Sequence, residues 1–370
     1  MDTLNIRNKN LYLNDVKVEK ILKGKQTPIY IYSVDQIKKN IKEIQTSFKK
    51  AQPLICFAIK ANSNINILKV LKKKNIGADV VSMGELKLAL KAGIKPNKIV
   101  FSGVGKTEQE IKFAIQKEIL SINAESSNEI ELINKISGKL KKQTNIGIRL
   151  NPNIVAKTNK KITTGNKTNK FGVTIENFYN IITNKEKFEN LNIHLLSVHI
   201  GSQIKDILAY KKVIKLIDNI LIKLKEKKHS ISYIDLGGGM SIPYFKKDSK
   251  FNFKKFGIEV DKFFKKHQKK IIFEIGRYLT GNCGFIISKI IYIKKINDRF
   301  FVILDAGMND MARSAIYESF HEIIPLKKNR KKFVKKIEFV GPICESSDTF
   351  GIYNNYFLLN EGEYVCITNC

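Results

Sequence analysis

Eight short β-branched runs alternate with longer lysine-rich amphipathic stretches, and this alternation constrains the fold of the 370-residue chain more than any other feature. The runs are LICFAI (54–59), ADVVS (78–82), KIVFS (98–102), EILSIN (118–123), NIGIRL (145–150), LLSVHI (195–200), SYIDLG (232–237) and KIIFEI (270–275). Between them, stretches such as NINILKVLKKKN and GELKLALKAG repeat apolar residues at helical spacing and close on Asn or Gly. Eight such units predict an α/β fold, a (β/α)8 TIM barrel, in which functional groups come from the C-terminal ends of the strands. The residues least expected in a core sit at those ends. Lys60 follows the first run, Ser82 the second, Arg149 and Asn151 the fifth, His199 the sixth, three glycines the seventh, and Glu274 with Arg277 the eighth.

Beyond about residue 285 the texture changes to close-spaced strands with few helical intervals, FIISKIIYIKK, RFFVILDAG, KKIEFVGPICE and EYVCITN. This predicts a second, all-β domain. A short strand near LYLNDVKVEKIL is expected to join it, because the barrel pattern starts only after TPIYIYS. The expected organisation is an N-terminal segment (1–29) contributing to the β domain, a barrel (30–285) and a C-terminal β domain (286–370). The Lys- and Asn-rich stretch 157–170 reads as a long polar loop.

A net charge of +32 invites a polyanion as partner. The distribution argues otherwise: only six of the 66 basic residues are arginine, the lysines are spread along the whole chain among Ile and Asn, and no aromatics interleave with them as a base-stacking platform. No specific nucleic-acid binding is expected. No apolar stretch reaches the roughly 18 uncharged residues needed to span a bilayer. The start, MDTLNIRNKN, has neither a secretory apolar core nor an Arg-rich leader, so a soluble cytoplasmic protein is expected. Five scattered cysteines (Cys56, Cys283, Cys344, Cys366, Cys370) without a CxxC pair argue for reduced thiols. The spacing of His194 and His199 does not suit a metal site, and none is expected.

Each unusual strand end has two readings. Lys60, in CFAIKANSN, is either a solvated cap or, carried at a barrel mouth out of water, an amine with a lowered pKa suited to Schiff-base chemistry. DLGGGM (235–240) is either a tight turn or a place where backbone N–H groups approach a phosphate closely. Glu274 and Arg277 form either a surface ion pair or separate charge-assisted contacts, Glu274 to a protonated ring nitrogen and Arg277 to an anion. His199 is either a satisfied core histidine or an aromatic stacking partner.

An amine, a phosphate cradle, a carboxylate for a ring nitrogen and a stacking ring are together the parts needed to bind pyridoxal phosphate (PLP). In order along the chain, FAIKAN, NPNIVAKTNKKITTGNKTNKFG, HIGSQ, DLGGG, EIGR, DAGMNDMARSAIYESFH and GPICESSD resemble the motifs of the diaminopimelate decarboxylase family. This is a group of fold-type III, alanine-racemase-like PLP barrels, and the resemblance spans residues from about 10 to 370. It implies Lys60 as the Schiff-base lysine, His199 stacked on the pyridine, Glu274 at its nitrogen, Asp79 beside the cofactor, and Ser202, Gly238, Gly239, Gly276 and Arg277 around the phosphate. It further implies Arg277, Arg313 and Tyr317 for the distal substrate carboxylate and Glu345 for the distal ammonium. Cys344 is the implied proton donor to the decarboxylated carbon, and Cys344 and Glu345 come from the partner of a homodimer. The CE of GPICESSD distinguishes this family from ornithine and arginine decarboxylases, which typically carry CD. Ile275 stands where the family usually has proline and Ser347 where it has glycine. The family pattern continues past CITNC with a Gly-Ala-Tyr-Gly-like segment bearing a tyrosine that touches cofactor and substrate, so a chain ending at Cys370 is expected to hold PLP more loosely and turn over poorly.

Overall fold

The computed structural model describes residues 3–155, 164–165, 169–245, 248–328 and 333–370. Most of the polar loop expected over 157–170, with its AKT motif, lies outside them. The chain opens with a three-stranded antiparallel sheet, β1 (Leu4–Arg7), β2 (Asn10–Leu13) and β3 (Val16–Lys17), then a short helix, Val18–Leu22, and β4 (Ile29–Tyr32).

The barrel follows as β5 (Leu54–Ala58), β6 (Gly77–Val80), β7 (Ile99–Phe101), β8 (Ser121–Ala124), β9 (Thr144–Arg149), β10 (Leu191–Ser197), β11 (Tyr233–Asp235) and β12 (Lys270–Ile275). All eight expected runs are strands, all pair in parallel, and β12 closes on β5 from Ile272 opposite Leu54 to Ile275 opposite Phe57. Ile275, the departure from proline, is thus a paired and buried strand residue. Only the bounds of KIIFEI coincide with the expected ones; most others differ by one or two residues, and two strands differ by three or more. β8 starts late because the preceding helix ends at Gln116 and Lys117–Glu118 form the turn after it, Glu118 at a left-handed φ of 51°. β10 begins at Leu191 and ends at Ser197, which puts His199 on the loop beyond it. Helices between the strands begin on side-chain caps at Asn64, Ser82, Thr107, Ser126 and Thr174, each satisfying an otherwise orphaned N–H.

Alternation along the strands sorts the barrel interior into levels. Cys56, Val100, Leu120, Leu195 and Ile272 form an apolar floor. Two residues further toward the C-terminal ends, on the same inward face, β7 is followed by Ser102, β10 ends on Ser197, and β12 carries Glu274, all buried. Asp235, in register with Ser197, and Asp79, buried on β6 within the influence of Ser102 and Glu274, join these polar residues.

The remaining strands are β13 (Gly284–Ile296), β14 (Arg299–Leu304), β15 (Ile323–Pro325), β16 (Phe333–Val340), β17 (Thr349–Phe357) and β18 (Tyr364–Ile367). They form one mixed sheet in the order β15-β18-β13-β14-β16-β17, parallel only between β14 and β16, and β4 adds to β13. Ile290, Val302, Leu304, Ile337, Phe339 and Val365 lie in its core. The compact units are residues 38–242 with 249–280, the barrel, and residues 1–37, 243–248 and 281–370, the sheet unit. The sheet unit therefore takes residues on the barrel side of the expected boundaries, because β4 is hydrogen-bonded along β13 from Ile29 opposite Ile287 to Tyr32 opposite Gly284. The LYLNDVKVEKIL segment also joins this unit: Leu11 N–H donates to Leu326 O at 2.9 Å and Lys328 N–H to Lys9 O at 2.8 Å. Among the described residues no helix is long and apolar enough to cross a membrane.

Candidate active site

The C-terminal mouth of the barrel gathers the charged residues its strands carry. β5 ends at Ala58 and a single 3-10 turn, Ile59–Ala61, lifts Lys60 clear of the packed interior. Lys60 is exposed rather than buried. Its ammonium nevertheless acts on Asp79, Glu85 and His199. Burial, opposed in part by the Val81 N–H and Lys60, raises the Glu85 carboxyl. Asp79 is 1% exposed; burial first and the nearby Glu274 charge second push its carboxyl well above the ordinary range, against the pull of Lys60.

Glu274 is a barrel-interior carboxylate, not half of a surface ion pair. It is 8% exposed, and its Oε1 accepts a hydrogen bond from Ser102 Oγ at 2.8 Å, while Asn123 Nδ2 donates to that same Oγ at 3.2 Å. His199, just beyond β10, is held by the backbone of the next strand's loop: Gly238 N–H donates to its Nδ1 at 3.1 Å. Desolvation, then Arg149 and Lys60, hold the imidazole well below its usual range, so the ring is neutral.

The glycines of DLGGG are demanded by close backbone approach. A Cβ on Gly238 would lie 1.9 Å from Glu274 O, and one on Gly237, at φ +65°, 2.7 Å from His199 Nδ1. Gly239, at φ +100°, would put a Cβ 2.1 Å from Gly201 O. The loop carrying Ser202 is tied to the same turn, since Ile204 N–H donates to Gly239 O at 2.8 Å and Gln203 Nε2 to Ile242 O at 2.6 Å. Gly276 separates β12 from the short helix Arg277–Thr280, and a Cβ there would meet Ala61 Cβ at 3.0 Å. Ser202, Gly238, Gly239 and Gly276 thus lie on the loops that follow β10, β11 and β12, and Arg277 opens the short helix after β12.

Arg313, Tyr317, Cys344 and Glu345 belong to the sheet unit. Arg313 and Tyr317 are the first and last residues of a one-turn helix, and the guanidinium lies 5.3 Å from the Tyr317 ring centroid and 5.4 Å from that of Tyr244. Cys344 and Glu345 are exposed on the turn after β16. That turn is organised by Asp348, whose Oδ1 accepts Met308 N–H at 2.7 Å and whose Oδ2 accepts Ile343 N–H at 2.8 Å. The GPICESSD and DAGMND motifs are therefore one folded unit.

Sequence reasoning missed three parts of the site. Asp235, the first residue of DLGGGM, and Ser102, the last of KIVFS, were visible only as strand-end residues. Arg149 was noted at its strand end without a partner; it is buried against Glu125, at 2.8 Å from Oε1, with its guanidinium 4.7 Å from the Phe171 ring centroid. Glu125 also accepts the Gly103 and Gly172 N–H groups, at 3.1 and 2.9 Å.

Residues 34–281 match the family model described as pyridoxal-dependent decarboxylase, pyridoxal binding domain. The barrel and its mouth are those of a PLP-dependent decarboxylase, an enzyme class whose cofactor the residues here fit: a neutral imidazole and an interior carboxylate flank a backbone cradle that side chains at the glycines would fill. The diaminopimelate decarboxylase of Aquifex aeolicus (strain VF5) is 39% identical over 365 residues, 98% of this chain and 86% of that protein. The crystal structure of diaminopimelate decarboxylase from Helicobacter pylori complexed with L-lysine superimposes with a TM-score of 0.90 at 36% identity, over 95% of this chain and 88% of that one. The M. jannaschii diaminopimelate decarboxylase in co-complex with L-lysine gives 0.91 at 33% identity, over 100% and 87%. The chain belongs to the diaminopimelate decarboxylase family.

Proposed function

We propose that this chain converts meso-2,6-diaminopimelate to L-lysine and CO2, the last step of lysine biosynthesis, as a cytoplasmic homodimer with shared active sites. The observation that carries the reading is the interior carboxylate of Glu274, fixed by Ser102 at a barrel mouth beside a neutral His199 and within the field of Lys60 and Asp79. When bound, the cofactor supplies an electron sink that lets the substrate's α-carboxylate leave as CO2.

The chain's own residues do the rest. Lys60 Nζ would hold the cofactor covalently. Glu274 keeps a proton on the ring nitrogen, and His199, lacking a charge of its own, offers its ring face for stacking. Ser202, Gly238, Gly239, Gly276 and Arg277 hold the phosphate, and Asp79 lies beside the cofactor. Arg277, Arg313 and Tyr317 take the distal carboxylate while Glu345 takes the distal ammonium. These contacts would fix the substrate's pose and so select the α-carboxylate as the group that leaves. Cys344 Sγ then gives its proton to the carbon that lost the carboxylate.

Substrate choice tests the reading. L-Ornithine has no distal carboxylate, so it would leave the distal cations unpaired at a cost of about 1–3 kcal/mol or more. Purified protein with added PLP is expected to release CO2 from meso-diaminopimelate far faster than from L-ornithine or L-arginine. Comparable turnover of ornithine would favour a polyamine-type decarboxylase, and cofactor absorbance without CO2 release a non-catalytic PLP-binding protein.

A further inference from the structure

The barrel brings three carboxyls together in a dry interior. Asp79 from β6, Asp235 from β11 and Glu274 from β12 are 1%, 0% and 8% exposed; the Glu274 charge acts on both aspartates, and Asp79 acts on Asp235. Burial and then the charges of all three push up the thiol of Cys56 on β5, and Lys60 acts on Asp79 in the opposite sense. Asp235 Oδ1 accepts the Gly237 N–H at 2.8 Å. Its Oδ2 is fully buried and has no hydrogen-bond partner among the described residues, and on the adjacent strand β12 the residue two beyond its register partner Ile272, on the same inward face, is Glu274, whose carboxyl acts on it. Two ionised carboxylates cannot both be kept in such a contact, whereas one shared proton turns it into a strong acid-to-carboxylate hydrogen bond.

We propose that Asp235 carries this proton on Oδ2 and donates it to the Glu274 carboxylate, as a positioning residue that fixes the Glu274 side chain together with Ser102. The proton belongs on Asp235 because Asp235 is the more deeply buried of the two and its Oδ2 has no other donor, while Glu274 already accepts from Ser102. Burial, and after it the Glu274 charge, pushes the Asp235 carboxyl well above the ordinary range, in keeping with this placement. The consequence is a ring-nitrogen partner backed by two donors, Ser102 on Oε1 and Asp235. That purpose rests on the proposed role of Glu274, but the location of the proton does not.

Infrared spectra of the cofactor-free chain, at about pH 8 where an ordinary aspartate is fully ionised, read the proton directly. Wild type is expected to show the C=O band of a protonated carboxylic acid, shifted in D2O, and Asp235→Asn to lose intensity from it, with Asp79→Asn as the reference for the neighbouring acid. In Asp235→Asn the amide N–H2 remains a permanent donor to Glu274 and the amide oxygen still accepts from Gly237. PLP affinity should therefore stay within about threefold of wild type, while Asp235→Ala, which strips the donor, should weaken it at least about tenfold. An unchanged band in Asp235→Asn, no such band in wild type, or PLP loss in Asp235→Asn as large as in Asp235→Ala would each overturn the inference. Should Asp235→Ala not fold, wild type and Asp235→Asn decide alone. Failure to decarboxylate diaminopimelate would sink the functional reading and leave the infrared result standing.

Discussion

Removing one amine should silence the site while leaving the barrel intact. Lys60 is exposed on a 3-10 turn, so Lys60→Ala is expected to cost little stability. It should nonetheless abolish both the visible-edge absorbance of lysine-bound PLP and all CO2 release. Unchanged absorbance in this variant would move the cofactor lysine elsewhere. Glu274 is the opposite kind of residue, because it is buried and its hydrogen bonds extend through Ser102 to Asn123. Its replacement disturbs packing and chemistry together, which makes Lys60 the cleaner probe.

At the scale of the element, the turn after β11 and the cap of the helix Met83–Lys91 both lie at strand ends yet do different work. Gly238→Ala puts a Cβ 1.9 Å from Glu274 O, a backbone atom that cannot move without shifting β12. Overpacking of this kind costs about 1–3 kcal/mol, and here it also displaces the N–H that holds His199. Weakened PLP binding and a lowered urea midpoint should therefore appear together. Ser82 caps its helix by accepting Glu85 N–H at 3.2 Å. Ser82→Ala should cost about 1 kcal/mol of stability with PLP affinity unchanged. Equal loss of PLP in both variants would remove the distinction.

For the whole molecule, the buried acids set a pH dependence. Asp79 and Asp235 have pKa values raised well above the unfolded ones, so above the ordinary aspartate range the folded barrel retains protons that the unfolded chain has released. Above about pH 7, where the imidazole of His199 is neutral folded or unfolded, the cofactor-free protein should lose stability as pH rises toward those raised values. Each retained proton contributes up to about 1.4 kcal/mol per pH unit. Urea midpoints should show this slope, and Asp79→Asn, which has no proton to release, should flatten it; an equal slope in the variant would argue that Asp79 is ionised in the fold. The dimer proposal has its own test. Mixing Lys60→Ala with Cys344→Ala chains is expected to restore about a quarter of wild-type activity, since half the dimers of a two-fold assembly then carry one intact shared site. No recovery would place each site within a single chain.

The eight barrel strands were legible in the sequence because a short apolar β-branched run and a helical repeat are local patterns, read without knowing what packs against them. Lys60, His199, the glycines and Glu274 were legible for a related reason, as residue types out of place at the end of such a run. The tertiary structure decided what depends on register across strands distant in sequence. Asp235, Asp79, Ser102 and Glu274 meet only because closure of the barrel turns the inner faces of strands distant in sequence toward one another, and no spacing along the chain records that closure. In the same way β4 belongs with β13 although some 250 residues separate them, because a strand's unpaired backbone edge is satisfied by whichever strand the fold brings alongside. Lys60 shows both sides: the sequence by itself placed a lysine at the end of the first strand, and only the turn that ends β5 decided that it stands clear of the core among the charges of its neighbours.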